Sequence, residues 1–284
     1  MKKVVITGAG GQLGKELVQI LKDDHYMVHP FTKQQLDITD RKKIDEMLEQ
    51  TNPDFLINTA AFTQVDTCEK DIDNAYLING IAPYYLACAA KAKKVKFIHI
   101  STDYVFAGNK TEPYLEDDDT DPKTIYGKSK LLGEEFSQVA YEETTIIRTS
   151  WLYGHEGKNF VNTIKRLADS PKEIHVVDDQ FGSPTYTKDL GIAIKQLLSK
   201  PPGIYHVTNS GSCSWFEFAR EIVECLQSEA IVSPISTDRY GLATPRPKYS
   251  VLSHKKLNSN GIYMRNWQKG LQEFLAKEDD NSGN

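Results

Sequence analysis

Tyr126 and Lys130 stand four residues apart in Ile125-Tyr126-Gly127-Lys128-Ser129-Lys130, downstream of Ser101-Thr102-Asp103-Tyr104-Val105-Phe106. On a helix, positions i and i+4 lie one above the other, so the phenol and the ammonium share a face and can converge on one small volume. A free phenol, with a pKa of about 10, holds its proton tightly at neutral pH, and a cation beside it favours the phenolate. In that setting Tyr126 can give a proton to a carbonyl oxygen as hydride arrives at the carbon. Thr102, expected just past the end of a strand, supplies a hydroxyl to hold the same oxygen. Taken alone, Y-x-x-x-K is the pattern of an ordinary exposed helix pair, because so short a pattern arises often by chance. The elements around it decide between the two.

Those elements alternate between strand and helix. Val4-Val5-Ile6 reads as a buried strand, followed by Gly8-Ala9-Gly10-Gly11-Gln12-Leu13-Gly14 and then by apolar residues at helical spacing, Leu13, Leu17, Ile20 and Leu21. Strand, glycine turn and helix is the order that phosphate binding requires. Gly8 permits the tight turn, Gly11 lets backbone approach a pyrophosphate, and Gly14 lets the helix pack closely on the strand. The register is G-x-x-G-x-x-G rather than the strict G-x-G-x-x-G, and a dinucleotide is the expected ligand. Further strands are expected at 27–31, 55–58, 96–100 and 144–148, with helices over 41–50, 75–91 and 126–142. Asp40 is the expected N-cap of the first of these helices. This rhythm predicts an α/β fold on a Rossmann-type doubly wound parallel sheet.

After Gly154 the rhythm loosens. Strands are expected at 173–177 and 203–207 and helices over 187–198 and 214–227. The reading is a cofactor-binding domain over 1–154, a smaller C-terminal substrate-binding lobe over 155–276 partly interwoven with the sheet, and a flexible polar tail over 277–284.

In open parallel sheets, ligands bind beyond the carboxyl ends of the strands, and several candidates fall there. Thr102 follows the fourth strand. Thr59-Ala60-Ala61-Phe62-Thr63 follows the third, where small residues let backbone lie against a cofactor or let helices pack closely. Trp151 follows the fifth, either as a stacking surface for a sugar or base or as a core residue. The acid usual after the second strand is missing. Lys33 stands there instead, and it either meets a 2′-phosphate, which favours NADPH over NADH, or is a solvated loop lysine. Asp37 either reaches the adenine or caps its own loop. Arg246 is either a phosphate partner or a surface arginine. His99 is expected to be a sheet histidine with nothing paired to it. The polar stretch 107–124 is long enough for a lid, and Glu116-Asp117-Asp118-Asp119 within it is expected to face water.

Composition excludes several classes. The 284 residues carry a net charge of −5 with basic residues interspersed among acidic ones, so no basic field exists for nucleic acid or an anionic membrane. No stretch reaches the ~18 apolar residues of a membrane helix, and the N-terminal apolar run is too short for a signal peptide. Four cysteines lack C-x-x-C spacing and seven histidines lack H-x-x-x-H spacing. A reducing, cytoplasmic compartment is expected, without a zinc site.

With these residues in place, the chain resembles the extended short-chain dehydrogenases/reductases over nearly its whole length, and within them the dTDP-4-dehydrorhamnose reductase family. The glycine turn and Y-x-x-x-K belong to the whole superfamily. The narrower likeness is carried by Arg148-Thr149-Ser150-Trp151-Leu152-Tyr153-Gly154, Asn159-Phe160-Val161, Gln180-Phe181-Gly182-Ser183-Pro184-Thr185 and Arg246-Pro247-Lys248-Tyr249-Ser250. The resemblance implies an NAD(P)H-dependent oxidoreductase that reduces the C4 ketone of dTDP-4-dehydro-β-L-rhamnose, with NADPH as cofactor and NADH as the other candidate. It implies Tyr126 as proton donor, Lys130 lowering the phenol's pKa and binding the nicotinamide ribose, and Thr102 in a hydroxyl position often held by serine. Alongside Gly8 and Gly14, it suggests Gly11, Gln12, Leu13, Asp37, Ile38, Ala61 and Thr63 for the cofactor, and Thr102, Asp103 and Trp151 for the sugar nucleotide. Some relatives pair subunits through magnesium held by glutamates. Glu16 matches one such position, but Lys188-Asp189 stand where another glutamate is expected, so no metal ligand is assigned, and a homodimer is one assembly the resemblance allows. Two other functions share these markers: a reductase or epimerase acting on another nucleotide sugar, and a noncatalytic NADP-binding regulatory subunit.

Overall fold

Val4, Val5 and Ile6 have no exposed surface, yet they point to different cores: Val4 and Ile6 pack with Leu17, Leu21 and Ile194, whereas Val5 packs with Ile44, Leu56 and Phe97. That split is the period-2 geometry of a strand buried on both faces, which is why the run is continuously apolar rather than alternating. The computed structural model describes residues 1–169, 173–241 and 243–282, with side chains through 276. The strand is β1 (Lys3–Thr7), followed by α1 (Gln12–Asp23), β2 (Met27–Phe31), α2 (Arg41–Thr51) and β3 (Phe55–Asn58). Then come α3 (Ala82–Lys93), β4 (Lys96–Thr102), α4 (Ile125–Ala140), β5 (Thr145–Thr149), α5 (Thr187–Leu197) and β6 (Gly203–His206).

Six strands form one sheet in the order β6-β5-β4-β3-β1-β2, and every pairing is parallel. The expected doubly wound α/β architecture is present. The strand order reverses between β1 and β3, so the loops leaving their carboxyl ends diverge and open a crevice there. β6 is the strand expected at 203–207. The remainder of the second half is a lobe in which strands Ile174–Val177 and Val232–Ile235 pair in parallel. Phe218, Leu271 and Phe274 pack against them from helices Trp215–Cys225 and Trp267–Ser282. Of the tail expected over 277–284, the helical backbone reaches Ser282 and the rest lies outside the described residues.

Two expected elements differ. The helix expected over 75–91 is broken into Ile72–Tyr76, a π-helical turn over Leu77–Ile81, and α3 with Pro83 in its first turn. The π turn sets the buried Asn79 between two neighbours: its amide exchanges hydrogen bonds with Phe62 N and O (2.8 and 3.0 Å) and donates to Ser129 Oγ on α4 (3.1 Å). A residue of no evident chemistry thereby fixes the helix that carries Tyr126 and Lys130. The stretch 107–124 is braced rather than free: Tyr114 N donates to Val251 O (2.9 Å), Ser253 N donates to Tyr114 O (2.8 Å), and the Tyr114 ring stacks on Phe106. Glu116 does not face water; it accepts from His206 N (3.2 Å), while Asp117 and Asp119 are exposed.

Gly14 shows how tightly α1 must dock. A Cβ there would lie 2.4 Å from Gly8 O and 2.7 Å from Ala9 Cα, both backbone atoms that cannot rotate aside. Gly14→Ala is therefore expected to destabilise the fold by about 3 kcal/mol, the upper end of overpacking costs. A urea denaturation curve with a lowered midpoint and unchanged slope checks it.

Candidate active site

A cleft of about 840 Å³ opens where β1 and β3 diverge and runs into the second lobe, walled by Gly11, Gln12, Leu13, Gly14, Ala61 and Thr63 on one side. Thr102, Asp103, Tyr126, Lys130 and Trp151 complete the wall. The glycine turn works as its spacing suggests. Gly8 takes φ +69°, and a Cβ there would sit 2.5 Å from Ala60 N, so only glycine lets the turn pass against the β3 loop. Gly11 caps α1 without a side chain, which leaves the first-turn amides to a ligand rather than to a capping oxygen.

Thr102 ends β4, and Tyr126 and Lys130 stand on the first two turns of α4, whose N-cap Thr124 accepts from Gly127 N (3.0 Å). The Thr102 hydroxyl donates to Asp103 Oδ1 (3.0 Å) and accepts from Tyr104 N (3.3 Å). The Tyr126 ring meets Tyr104 edge-on at 5.4 Å. Lys130 is 2 % exposed; its ammonium donates to Ile100 O (2.5 Å) and lies 3.4 Å from His99 Nε2.

The electrostatics differ from expectation in one respect. The phenol of Tyr126 is held above its ordinary value, not below it: part of the ring opens on the cleft, but desolvation of the hydroxyl outweighs the opposing influence of the nearby Thr102 side chain. Lys130 does not reverse this, because its charge is directed at Ile100 O and is itself disfavoured. Burial draws Lys130 down to about 8 against the upward pull of Glu134.

Other expected residues divide. Trp151 is in the wall, but one face of its ring is covered: it stacks flat on Trp215 at 3.5 Å, and a Cβ at Gly182 would lie 2.4 Å from Trp151 Cε2. Its backbone takes φ +47°, a strained conformation for a bulky residue. Arg246 is in the wall and is paired, both oxygens of Asp66 accepting from Nη2 at 3.0 and 2.9 Å. Gly8, Asp37 and Ile38 do not wall the cleft. Asp37 accepts from Thr39 N (3.0 Å) and Thr39 Oγ1 (2.8 Å), capping its own loop, while Ile38 is buried beside Leu36 and Ile44. Lys33 is exposed.

Sequence reasoning missed three groups. His99, read as unpaired, bonds Asn58 Nδ2 (3.0 Å) through Nδ1 and faces Lys130. Glu134 and Arg148, 2 % and 3 % exposed, form an ion pair at 2.7 Å, and Ser101, next to Thr102, also donates to Glu134. The signal was present, since Tyr126, Lys130 and Glu134 repeat at i, i+4 and i+8 on one face. Trp215, whose stack defines the far wall, opens its helix behind a capping box of Ser214 and Glu217.

At the position compared with metal-bridged relatives, Glu273 is held by Lys188 (2.5 Å) and Arg265 (2.6 Å), and Asp189 by Arg265 (2.9 Å). Among the described residues no group of three or more His, Cys, Asp or Glu is placed to hold a metal ion. Among them, too, no helix is long and apolar enough to cross a membrane.

Asp103, 2 % exposed, gives the site a pH signature. Burial raises its carboxyl to about 6 against hydrogen bonds from Ser250 and Thr102. A folded-state pKa above the unfolded value means that the native state binds more protons, so stability falls as pH rises from about 4 to about 6. The loss is on the order of 3 kcal/mol. Asp103→Asn is expected to flatten that part of the stability profile, as measured by denaturation at successive pH values.

The model of the RmlD substrate binding domain matches residues 1–279. The chain is 53% identical over 277 residues to the spore coat polysaccharide biosynthesis protein SpsK of Bacillus subtilis (strain 168), covering 98% of each. It is 40% identical to the dTDP-4-dehydrorhamnose reductase of Mycolicibacterium smegmatis, covering 97% of this chain and 85% of that one. The crystal structure of dTDP-4-dehydrorhamnose reductase from Bacillus anthracis in complex with NADP superposes with a TM-score of 0.95 at 44% identity, over 97% of this chain and 99% of that one. Likeness of this extent, joined to a glycine turn and a Thr-Tyr-Lys wall around one cleft, places the chain in the dTDP-4-dehydrorhamnose reductase family of the extended short-chain dehydrogenases/reductases.

Proposed function

We propose that this chain catalyses the NADPH-dependent reduction of the C4 ketone of dTDP-4-dehydro-β-L-rhamnose to give dTDP-β-L-rhamnose. The observation that carries this reading is that Thr102, Tyr126 and Lys130 line the same cleft as the glycine turn. The residues fit a dinucleotide: Gly11 leaves the first-turn amides of α1 unspent, and Gln12, Leu13, Gly14, Ala61 and Thr63 line the trough beyond. Family likeness alone assigns Asp37 and Ile38, on the loop after β2, to the adenosine end, and Lys33 on the same loop suits a 2′-phosphate. NADP in the Bacillus anthracis reductase supports NADPH over NADH.

When bound, the cofactor supplies the hydride. Thr102 holds the ketone oxygen, and Tyr126 gives it a proton as negative charge develops there. The raised pKa of the phenol keeps that proton in place until then. Lys130 anchors the nicotinamide ribose. Asp103 and Trp151 wall the sugar side, and Trp151, backed by Trp215, is a rigid surface rather than an adjustable one. The proposed compartment is the cytoplasm, in keeping with four free thiols, and the proposed assembly is the homodimer implied by family likeness.

The test follows NADPH absorbance with dTDP-4-keto-6-deoxyhexoses of both C3 and C5 configurations. Oxidation confined to the rhamnose configuration is expected. No oxidation with any of them, in protein that purifies with nicotinamide bound, turns the reading towards an epimerase. Tyr126→Phe is expected to lower turnover ~10²–10⁴-fold with an unchanged melting profile, the contribution of a general acid. Near-native turnover in a folded variant would remove Tyr126 from that role.

A further inference from the structure

Beneath the cleft, a chain of buried hydrogen bonds has only one consistent direction. The backbone amide of Ala60 donates to Asn58 Oδ1 (3.1 Å), and the Thr7 hydroxyl lies 2.6 Å from the same oxygen. A backbone N–H can only donate, so the orientation of the Asn58 amide is fixed and its NH2 group faces His99 Nδ1 at 3.0 Å. That NH2 group can only donate too. His99 Nδ1 is therefore an acceptor, and the neutral imidazole carries its proton on Nε2. His99 has no exposed surface, lies against Phe97 and meets no carboxylate. Its Nε2–H is directed at Lys130 Nζ, 3.4 Å away, while Nζ is 2.5 Å from Ile100 O. Facing an ammonium, this arrangement sets donor against donor. Facing an amine, it is a hydrogen bond to the nitrogen lone pair.

We propose that His99 is a positioning residue that governs the proton supply of the site: locked as the Nε2–H tautomer by Asn58 and Thr7, it favours the amine form of Lys130. The role rests on the reductase reading above, but the tautomer and its effect on Lys130 do not. Each reduction takes a proton from Tyr126 and leaves a phenolate. The Lys130 ammonium, one turn along the same face, yields a proton to restore the phenol, becomes the amine that His99 stabilises, and is recharged from water. The other groups near it act differently. Glu134, on the same helix, favours the ammonium but is paired with Arg148 from β5, and Cys68 and Asp103 act on Tyr126. His99 is the group on β4 that opposes the charge.

The experiment is NMR on the full chain. In protein with ¹⁵N-labelled histidine, the His99 pair, assigned by its loss in His99→Asn, is expected to show a bare Nδ1 and a protonated Nε2 throughout neutral pH. An Nδ1–H tautomer or an imidazolium overturns the proposal. The titration of Lys130, read from its ¹³Cε shift, is then compared with two variants. Asn58→Asp accepts from Ala60, from Thr7 and now from His99 Nδ1–H, which turns Nε2 into an acceptor for the ammonium. His99→Asn keeps the acceptor for Asn58 and removes Nε2–H. In each variant that folds, the Lys130 midpoint is expected to rise by about one pH unit, about a tenfold gain in proton affinity, and the alkaline limb of NADPH oxidation to move with it. An unmoved Lys130 midpoint in His99→Asn overturns the proposal whether or not the chain proves to be a reductase.

Discussion

Burying a lysine is the constraint on which the rest of this site depends. Lys130 is 2 % exposed, and the penalty of holding an ammonium away from water is large enough to draw its proton affinity towards neutrality. The protein meets that penalty only in part. One carbonyl, Ile100 O, accepts from the ammonium, and one carboxylate, Glu134, lies a helical turn beyond but is shared with Arg148 and Ser101.

The sheet and helix geometry follows from the need to bring that lysine inside. α4 lies so close over the π turn that a Cβ at Gly133 would be 2.1 Å from Asn79 O, and the Asn79 amide clamps Ser129 and Phe62 together. Close approach on one side and a parallel sheet covered on both faces keep Lys130 almost wholly buried. The same approach brings Tyr126 to the end of β4, where Thr102 waits. Trp151 on Trp215 then closes one wall of the cleft with two flat rings packed face to face.

Much of this was legible in the sequence, and the failures have physical causes. The strands β1 and β3 hold apolar runs with glycine, proline or asparagine at their ends, and the glycine turn after β1 has few alternative uses. The two-residue strands at Leu152–Tyr153, Phe181–Gly182, Thr185–Tyr186 and Cys213–Ser214 were not legible, because so short a span cannot display a period of two. His99 was misread because strand alternation says which face a residue takes and nothing about what waits there. Glu116 was misread because acidic neighbours suggest water, whereas His206 N and Arg148 draw that single turn inward. The pKa of Tyr126 moved against expectation because a spacing of four reports a shared helix face but not the depth at which the face is buried. Asp37, open to two readings, shows only the local one in its hydrogen bonds.

One further consequence lies in β6. It is donated by the second half of the chain and pairs with β5 through Gly203–Thr145 to His206–Arg148. Without it, β5 would become a bare margin, with main-chain donors and acceptors open to any passing strand. The two halves of the chain are thus one cooperative folding unit. During synthesis, the first half must wait, incomplete, for a segment that emerges long after its own last helix.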